Sequence, residues 1–295
     1  MTNAIASTPT CVLDARASLG ECPVWSRDEQ VLYWIDINAP ALHRFDPASG
    51  ENATMAMPSS IGCFGLRARG GFVLALRDGV WLADAHGRLE RKVVDAPYDP
   101  RHHRFNDGRC DPRGRLVVGT MNENRDGDSG ALYRVDRDFS LHELFRGMTI
   151  SNGLAFAPDG RTMYHADTPA HVVHAFDYDV AGGTLTNRRV FAQWSGETER
   201  PDGAAVDSVG NYWVAFYGAG KLMQLSPLGR PIAEHPLPAM CPTMCAFGGA
   251  DLCTLYITTA RQKRDAGELA LLPQSGGIFA MRVDVPGQPE PSFAG

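Results

Sequence analysis

The chain has 295 residues, 44% of them hydrophobic, and a formal net charge of -6. The acidic balance, 28 Lys and Arg against 34 Asp and Glu, excludes the basic face that nucleic-acid binding requires. No apolar run approaches the roughly 20 residues of a membrane helix.

The opening residues MTNAIASTPTCVLDAR carry neither a basic segment nor an apolar core of signal-peptide type, so no secretory leader is expected. The seven cysteines (Cys11, Cys22, Cys63, Cys110, Cys241, Cys245 and Cys253) are scattered without a CxxC pair. They suit free, mostly buried thiols in a cytoplasmic protein. Cys241 and Cys245 have no second pair with which to hold a metal.

Helix signals are nearly absent; the one candidate is a turn at about Asp265 to Leu272. Short runs rich in Val, Leu, Tyr, Trp and Phe recur instead, cut by Gly, Pro, Asp and Ser. Six of them are expected to open equivalent units: VLYWIDI from Val31, GFVLALR from Gly71, RLVVGTM from Arg115, TMYHADT from Thr162, NYWVAFY from Asn211 and TLYITTA from Thr254. Their spacing, roughly 40 to 50 residues, is that of propeller blades. Each is followed by a second strand and a turn such as DPASG, DAHGR or SPLGR. The expected fold is therefore all-β, a six-bladed propeller with about four antiparallel strands per blade. The last unit is a strand short, and TCVLDAR near the N-terminus is spare. It is predicted to pair into the last blade, where it would cover an open edge. The expected organisation is an extended or disordered N-terminus over residues 1–9, one propeller domain over 10–288 and a C-terminal tail over 289–295. The polar loop from Asn122 to Gly130 is too long for a hairpin, and its acids do not follow the EF-hand order.

Three segments share one pattern: RFNDGRCDPRGRLVVGT, SNGLAFAPDGRTMYHAD and RPDGAAVDSVGNYWVAF. Aligned on Gly114, Gly160 and Gly210, they bring Asn106, Asn152 and Asp202 to one offset. In LGECPVWS the corresponding oxygen donor is Glu21. Asn-Gly and Asp-Gly singly favour turns. A shared offset in several blades instead points to side chains converging near the axis. Glu21, Asn152 and Asp202 would offer two carboxylates and an amide carbonyl, a donor set for one hard divalent cation: Ca, Mg or Mn, with Zn or Fe(II) as further candidates.

The ordered segments LGECPVW, RFNDGRCDPRGRLVVGTMNE, ISNGLAFAPDGRTMYHAD, RPDGAAVDSVGNYWVA and FGGADLCTLYITTAR resemble the senescence-marker-protein/gluconolactonase/luciferin-regenerating-enzyme family, from about Ala15 to Val285. The resemblance implies a six-bladed propeller that hydrolyses sugar lactones with one divalent metal on its axis. By that likeness Glu21, Asn152 and Asp202 are metal ligands and Asp202 is also the catalytic candidate. Arg104, Asn106 and Glu123 fall at substrate contacts, and His103 is a candidate to support them from behind. His102-His103 replace the asparagines usual before Arg-Phe-Asn, which bears on substrate choice. His165, His171 and His174 are expected on strand or loop surfaces. The expected activity is hydrolysis of an aldono- or aldarolactone by a monomer in carbohydrate catabolism. A phosphotriester hydrolase on the same site and a non-enzymatic calcium-binding regulator are the alternatives.

Overall fold

A computed structural model describes residues 8–125 and 127–295. Most of the expected N-terminal extension, residues 1–7, lies outside that range, as does Asp126 in the loop after Asn122. The chain begins as β1 (Thr10–Leu13). The first sheet then runs β2 (Gly20–Ser26), β3 (Val31–Asp36), β4 (Ala41–Phe45) and β5 (Asn52–Ala56). The second is β6 (Ile61–Leu66), β7 (Phe72–Leu76), β8 (Gly79–Ala83) and β9 (Leu89–Asp95). The third is β10 (His103–Cys110), β11 (Leu116–Asn122), β12 (Gly130–Val135) and β13 (Leu141–Met148). The fourth is β14 (Ser151–Phe156), β15 (Thr162–Asp167), β16 (Val172–Asp179) and β17 (Thr184–Gln193). The fifth is β18 (Pro201–Val206), β19 (Tyr212–Phe216), β20 (Lys221–Leu225) and β21 (Pro231–Pro236). The sixth is β22 (Pro242–Gly248), β23 (Thr254–Thr259) and β24 (Ile278–Arg282), with β1 hydrogen-bonded along β24 as its fourth strand. There Thr10 faces Ala280 and Cys11 faces Phe279.

The first strands of the sheets touch in succession, β2 to β6, β10, β14, β18 and β22, and β22 returns to β2. This is the ring of a six-bladed β-propeller. Among the described residues there is one α-helix, α1 (Ala266–Leu271), capped by Asp265, whose side chain accepts from the Glu268 amide. It occupies the one stretch in which the sequence pattern allows a helical turn.

The unit boundaries differ from the sequence expectation in one respect. The six aromatic runs expected to open the units are the second strands, β3, β7, β11, β15, β19 and β23. The innermost strands are the segments before them, such as ECPVWS, SNGLAF and PDGAAV. Their Gly, Pro, Asn and Asp content resembles turns, but both faces are shut between neighbouring blades, so burial rather than β-propensity fixes them. Outer strands such as β17 are largely exposed.

Every innermost strand breaks register against its neighbour near its head. The shifts fall between Glu21 and Val24, Ile61 and Cys63, Phe105 and Gly108, Asn152 and Ala155, Pro201 and Ala204, and Pro242 and Met244. A bulge adds a residue without a partner and re-aims the side chains around it. Gly153, at one of these breaks, has a left-handed backbone (φ 58), and a Cβ there would lie 2.4 Å from the Tyr212 hydroxyl.

The chain's end crosses the opposite face, where the innermost strands finish. Phe293 is fully buried and bridges to Arg67, and Gly287 bridges to Asp207. Glu290 pairs with the buried Arg109 at 2.7 Å, and Arg109 also donates to the Ala204 carbonyl of another blade at 2.6 Å.

Gly153→Ala is expected to cost more than about 2 kcal/mol in urea unfolding, because strain and a steric clash combine. Gly50→Ala shares the left-handed backbone (φ 78) with nothing near the added carbon. It should cost only about 1 kcal/mol.

Candidate active site

At the heads of the innermost strands a cavity of about 310 Å³ opens, and Glu21, Arg104, Asn106, Asn152 and Asp202 all line it. These residues come from β2, β10, β14 and β18, four different blades. Leu19, Met121, Ile150, Thr168, His171, Arg200, Tyr217 and Gln262 contribute other parts of the wall.

A chain of hydrogen bonds crosses three blades and sets the polar floor. The Arg104 guanidinium donates to Asn106 Oδ1 at 2.6 Å. Asn106 Nδ2 donates to Asn152 Oδ1 at 2.8 Å and to the Ser151 carbonyl at 2.7 Å. Asn152 Nδ2 donates to Thr168 Oγ1 at 2.7 Å, and that hydroxyl donates to the Pro201 carbonyl at 2.7 Å. The direction of the bonds fixes the Asn152 amide. Its nitrogen is held by Thr168, and its carbonyl oxygen keeps one lone pair beyond the bond to Asn106.

The two acids have a different environment. Asp202 is buried, Glu21 is half-buried with its Oε2 accepting from the next backbone amide, and neither has an ion-pair partner among the described residues. Removal from water raises the Glu21 carboxyl to about 8, and the Asp107 charge adds to the effect. Asp202 is raised well above the carboxylate range by burial, then by the charges of Glu21 and Asp107. Like charges in a low-dielectric wall resist ionisation together. A dication between them would relieve both desolvation and repulsion, and two carboxylates with one amide oxygen suit a hard cation. Among the described residues no three His, Cys, Asp or Glu side chains cluster as a metal site; the amide of Asn152 is what completes this donor set.

Glu123 and His103 do not reach the cavity wall. Glu123 makes a two-pronged pair with Arg77 at 2.8 and 3.0 Å and lies 3.7 Å from the Arg104 Nε. Arg77 holds its carboxyl below the usual range. His103 Nε2 bonds Ser129 Oγ at 2.9 Å. Two other histidines depart from the expected surface positions. His165 is buried, bonded to Ser151 Oγ at 2.9 Å, and burial lowers it to about 3. His171 lines the cavity. Period-2 alternation fails as a guide on β15 because blades cover both of its faces.

Sequence reasoning missed Thr168 and Asp107. Thr168 lies past the end of β15, outside the repeated offset. Asp107 follows Asn106 in an Asp-Gly pair that resembles a turn, yet it is buried on β10 and accepts from the Leu154 amide of the next blade at 2.8 Å. Its Oδ1 has no hydrogen-bond partner.

Six blades around an axis, with acid and amide oxygens gathered at one end, define a β-propeller with a small-molecule cavity rather than a flat docking face. The chain belongs to the SMP-30/Gluconolactonase/LRE-like family, whose region it matches over residues 19–261. It is 51% identical to a 6-deoxy-6-sulfogluconolactonase of Pseudomonas putida, across 98% of this chain and 99% of that one. It is 35% identical to regucalcin of Gallus gallus, across 97% and 98% of the two chains. The crystal structure of a calcium-binding protein, regucalcin, from Agrobacterium tumefaciens superposes with a TM-score of 0.93 at 29% identity, covering 98% of this chain and 97% of that one.

Thr168→Val removes both bonds of the hydroxyl and leaves the Asn152 amide nitrogen unpaired. A loss of about 2 kcal/mol is expected, seen as a fall of about 5 °C in Tm. Thr168→Ser should hold the wild-type value.

Proposed function

We propose that the protein hydrolyses the ring ester of a sugar lactone to the open-chain sugar acid, with one divalent cation held by Glu21, Asn152 and Asp202. The observation that carries this reading is the convergence of those three residues with Arg104 and Asn106 on one cavity. The names of the relatives support the substrate class, and the one at 51% identity adds a sulfonated aldonolactone to the candidates. A regucalcin relative described as calcium-binding supports the cation.

When bound, the cation polarises the lactone carbonyl as a Lewis acid. The chain's own groups supply the remainder. Arg104 has one nitrogen committed to Asn106 Oδ1 and the Phe105 carbonyl. Its other N–H groups serve the oxygens of the substrate, and Glu123 steadies the guanidinium. Asp202 orients the attacking water and takes up the proton it releases; the pKa of that water is lowered beside the cation, so no unusual basicity of the carboxylate is required. A bond forms from the water oxygen to the carbonyl carbon, the ring C–O bond breaks, and the proton Asp202 took from the water passes to the ring oxygen, which leaves as a hydroxyl. Asn106 holds a hydroxyl of the polyol. The same reading takes the protein as a cytoplasmic monomer with its seven thiols free. Among the described residues no helix is long and apolar enough to cross a membrane.

Asp202→Asn and Glu21→Gln are each expected to lower lactone opening by at least about 100-fold. Cation affinity should fall in parallel. The assay is indicator-coupled hydrolysis of aldonolactones, sulfonated ones included, with a metal series after chelator treatment. Full chelator-resistant turnover in either variant would sink the assignment. A pH effect follows as well. In the metal-free fold Glu21 titrates at about 8 against an ordinary 4.5. The folded state therefore binds this proton more tightly than the unfolded chain, and its stability falls as pH rises between those values. A cation that replaces the proton removes the loss. The rise in Tm on adding calcium should be larger at pH 8 than at pH 6, and Glu21→Gln should flatten the difference.

A further inference from the structure

The charged groups of the cavity wall fall into two sets. Glu21 and Asp202 belong to the cation's donor set, and Arg104 is buried and committed to Asn106. Arg125 and Arg200 also line the cavity, and both are exposed, with no side-chain partner among the described residues. With a dication on the two acids, the acids and the cation cancel. Glu123 lies 3.7 Å from Arg104 and offsets its charge, so Arg125 and Arg200 are the guanidiniums left in excess, and among the described residues no further carboxylate lines the cavity. A neutral polyol is recognised by hydrogen-bonding groups and gains nothing from such a surplus. An anionic substrate does.

The backbone under these arginines is positioned. Arg200 lies just ahead of β18. Its amide donates to the Thr198 carbonyl at 2.9 Å, and its carbonyl accepts from the Tyr217 amide at 3.0 Å. His171 Nδ1 holds the adjoining Glu199 carbonyl at 2.7 Å. Arg125, in the connection from β11 to β12, has a left-handed backbone (φ 57), and its amide donates to the Asn122 carbonyl at 3.1 Å. The two therefore reach the cavity from the third and fifth blades, flanking the fourth, which supplies Asn152.

We propose that Arg125 and Arg200 form an oxyanion subsite that selects sugar lactones carrying a tetrahedral anion, a sulfonate or a phosphate monoester, on the carbon furthest from the ring carbonyl. This rests on the lactonase reading above. Planar guanidiniums match the oxygens of either group, and the charge-assisted bonds formed there are stronger than those a hydroxyl offers. The two arginines are specificity residues and leave the reacting carbonyl to Arg104.

The test compares kcat/KM for glucono-1,5-lactone, its 6-phosphate and 6-deoxy-6-sulfoglucono-1,5-lactone, using wild type, R125A, R200A and the double variant. R230A, an exposed arginine away from the cavity, is the control. Wild type should prefer an anionic lactone over the neutral one by at least about 10-fold. Each single variant should reduce that ratio several-fold and the double variant should abolish it, with the loss in KM rather than kcat. The faster of the two anionic substrates identifies the group. A preference that weakens with added salt supports the charge-based origin. A ratio near one in wild type, or one unmoved in the double variant, overturns the proposal while leaving the lactonase reading intact. Calorimetry with gluconate and 6-phosphogluconate separates the converse case. If no lactone is opened with any cation, yet 6-phosphogluconate binds more tightly than gluconate and the double variant loses that advantage, the subsite stands and the hydrolase reading falls. Equal binding of the two acids would remove the subsite.

Discussion

The structure depends on a geometric constraint at the head of each innermost strand. Six strands contact one another around an axis, and each breaks register with its own sheet near its first residues. The break lets the side chain at that place leave the alternation of the sheet. In four blades it carries Glu21, Asn106, Asn152 and Asp202 into one cavity. The second and sixth blades put Gly62 and Thr243 at the corresponding place, and the Thr243 hydroxyl donates to the Gly20 carbonyl at 2.5 Å. The ring thus supplies six equivalent positions, of which four line the cavity.

Acids cluster at the open end of this axis and are answered by opposite charge in an ion pair only further down. Glu21 and Asp202 lie toward the open end and Asp107 deeper. The buried Arg109 follows, reaching the Ala204 carbonyl at 2.6 Å, and Glu290 of the C-terminal segment pairs with it at 2.7 Å. Removing one partner of such a buried pair leaves an uncompensated charge, which is costlier than never having had the pair. The last residues of the chain are therefore part of the charge balance of the channel. The upper two acids have no comparable partner among the described residues, an imbalance of the kind that accompanies functional sites.

The propeller was legible because its middle strands are written in ordinary strand chemistry. VLYWID and TLYITT are β-branched and aromatic, and they repeat at blade spacing. The innermost strands were less legible. PDGAAV and SNGLAF have the composition of turns, and only the ring that covers both faces makes them strands. The convergence of Glu21, Asn106, Asn152 and Asp202 on one cavity was nevertheless legible, since a shared offset survives without knowing which strand is innermost. Glu123, named by the family resemblance rather than by offset, is bound by Arg77 of another blade and is not among the residues lining the cavity. Thr168, His171 and Arg200 could not be found by offset at all. They lie in connections whose paths depend on contacts between blades, such as the Thr168 hydroxyl on the Pro201 carbonyl and His171 on the Glu199 carbonyl.

That division has a consequence for how such a molecule can change. Atoms set by the bulged strand heads are fixed by two neighbouring blades and by the hydrogen bonds from Arg104 through Asn106 and Asn152 to Thr168. A substitution there disturbs several partners at once. Arg125 and Arg200 are held through their own backbones, and among the described residues their guanidiniums have no side-chain partner. Exchange of such a residue changes the charge of the mouth with little cost to the fold, since exposed substitutions away from strained or buried groups are usually near-neutral. On the proposed reading, the carbonyl chemistry is constrained by the whole ring, whereas the choice of substrate is carried by a few side chains on its rim. In a closed propeller these two properties can vary independently because the residues that set them belong to different structural elements.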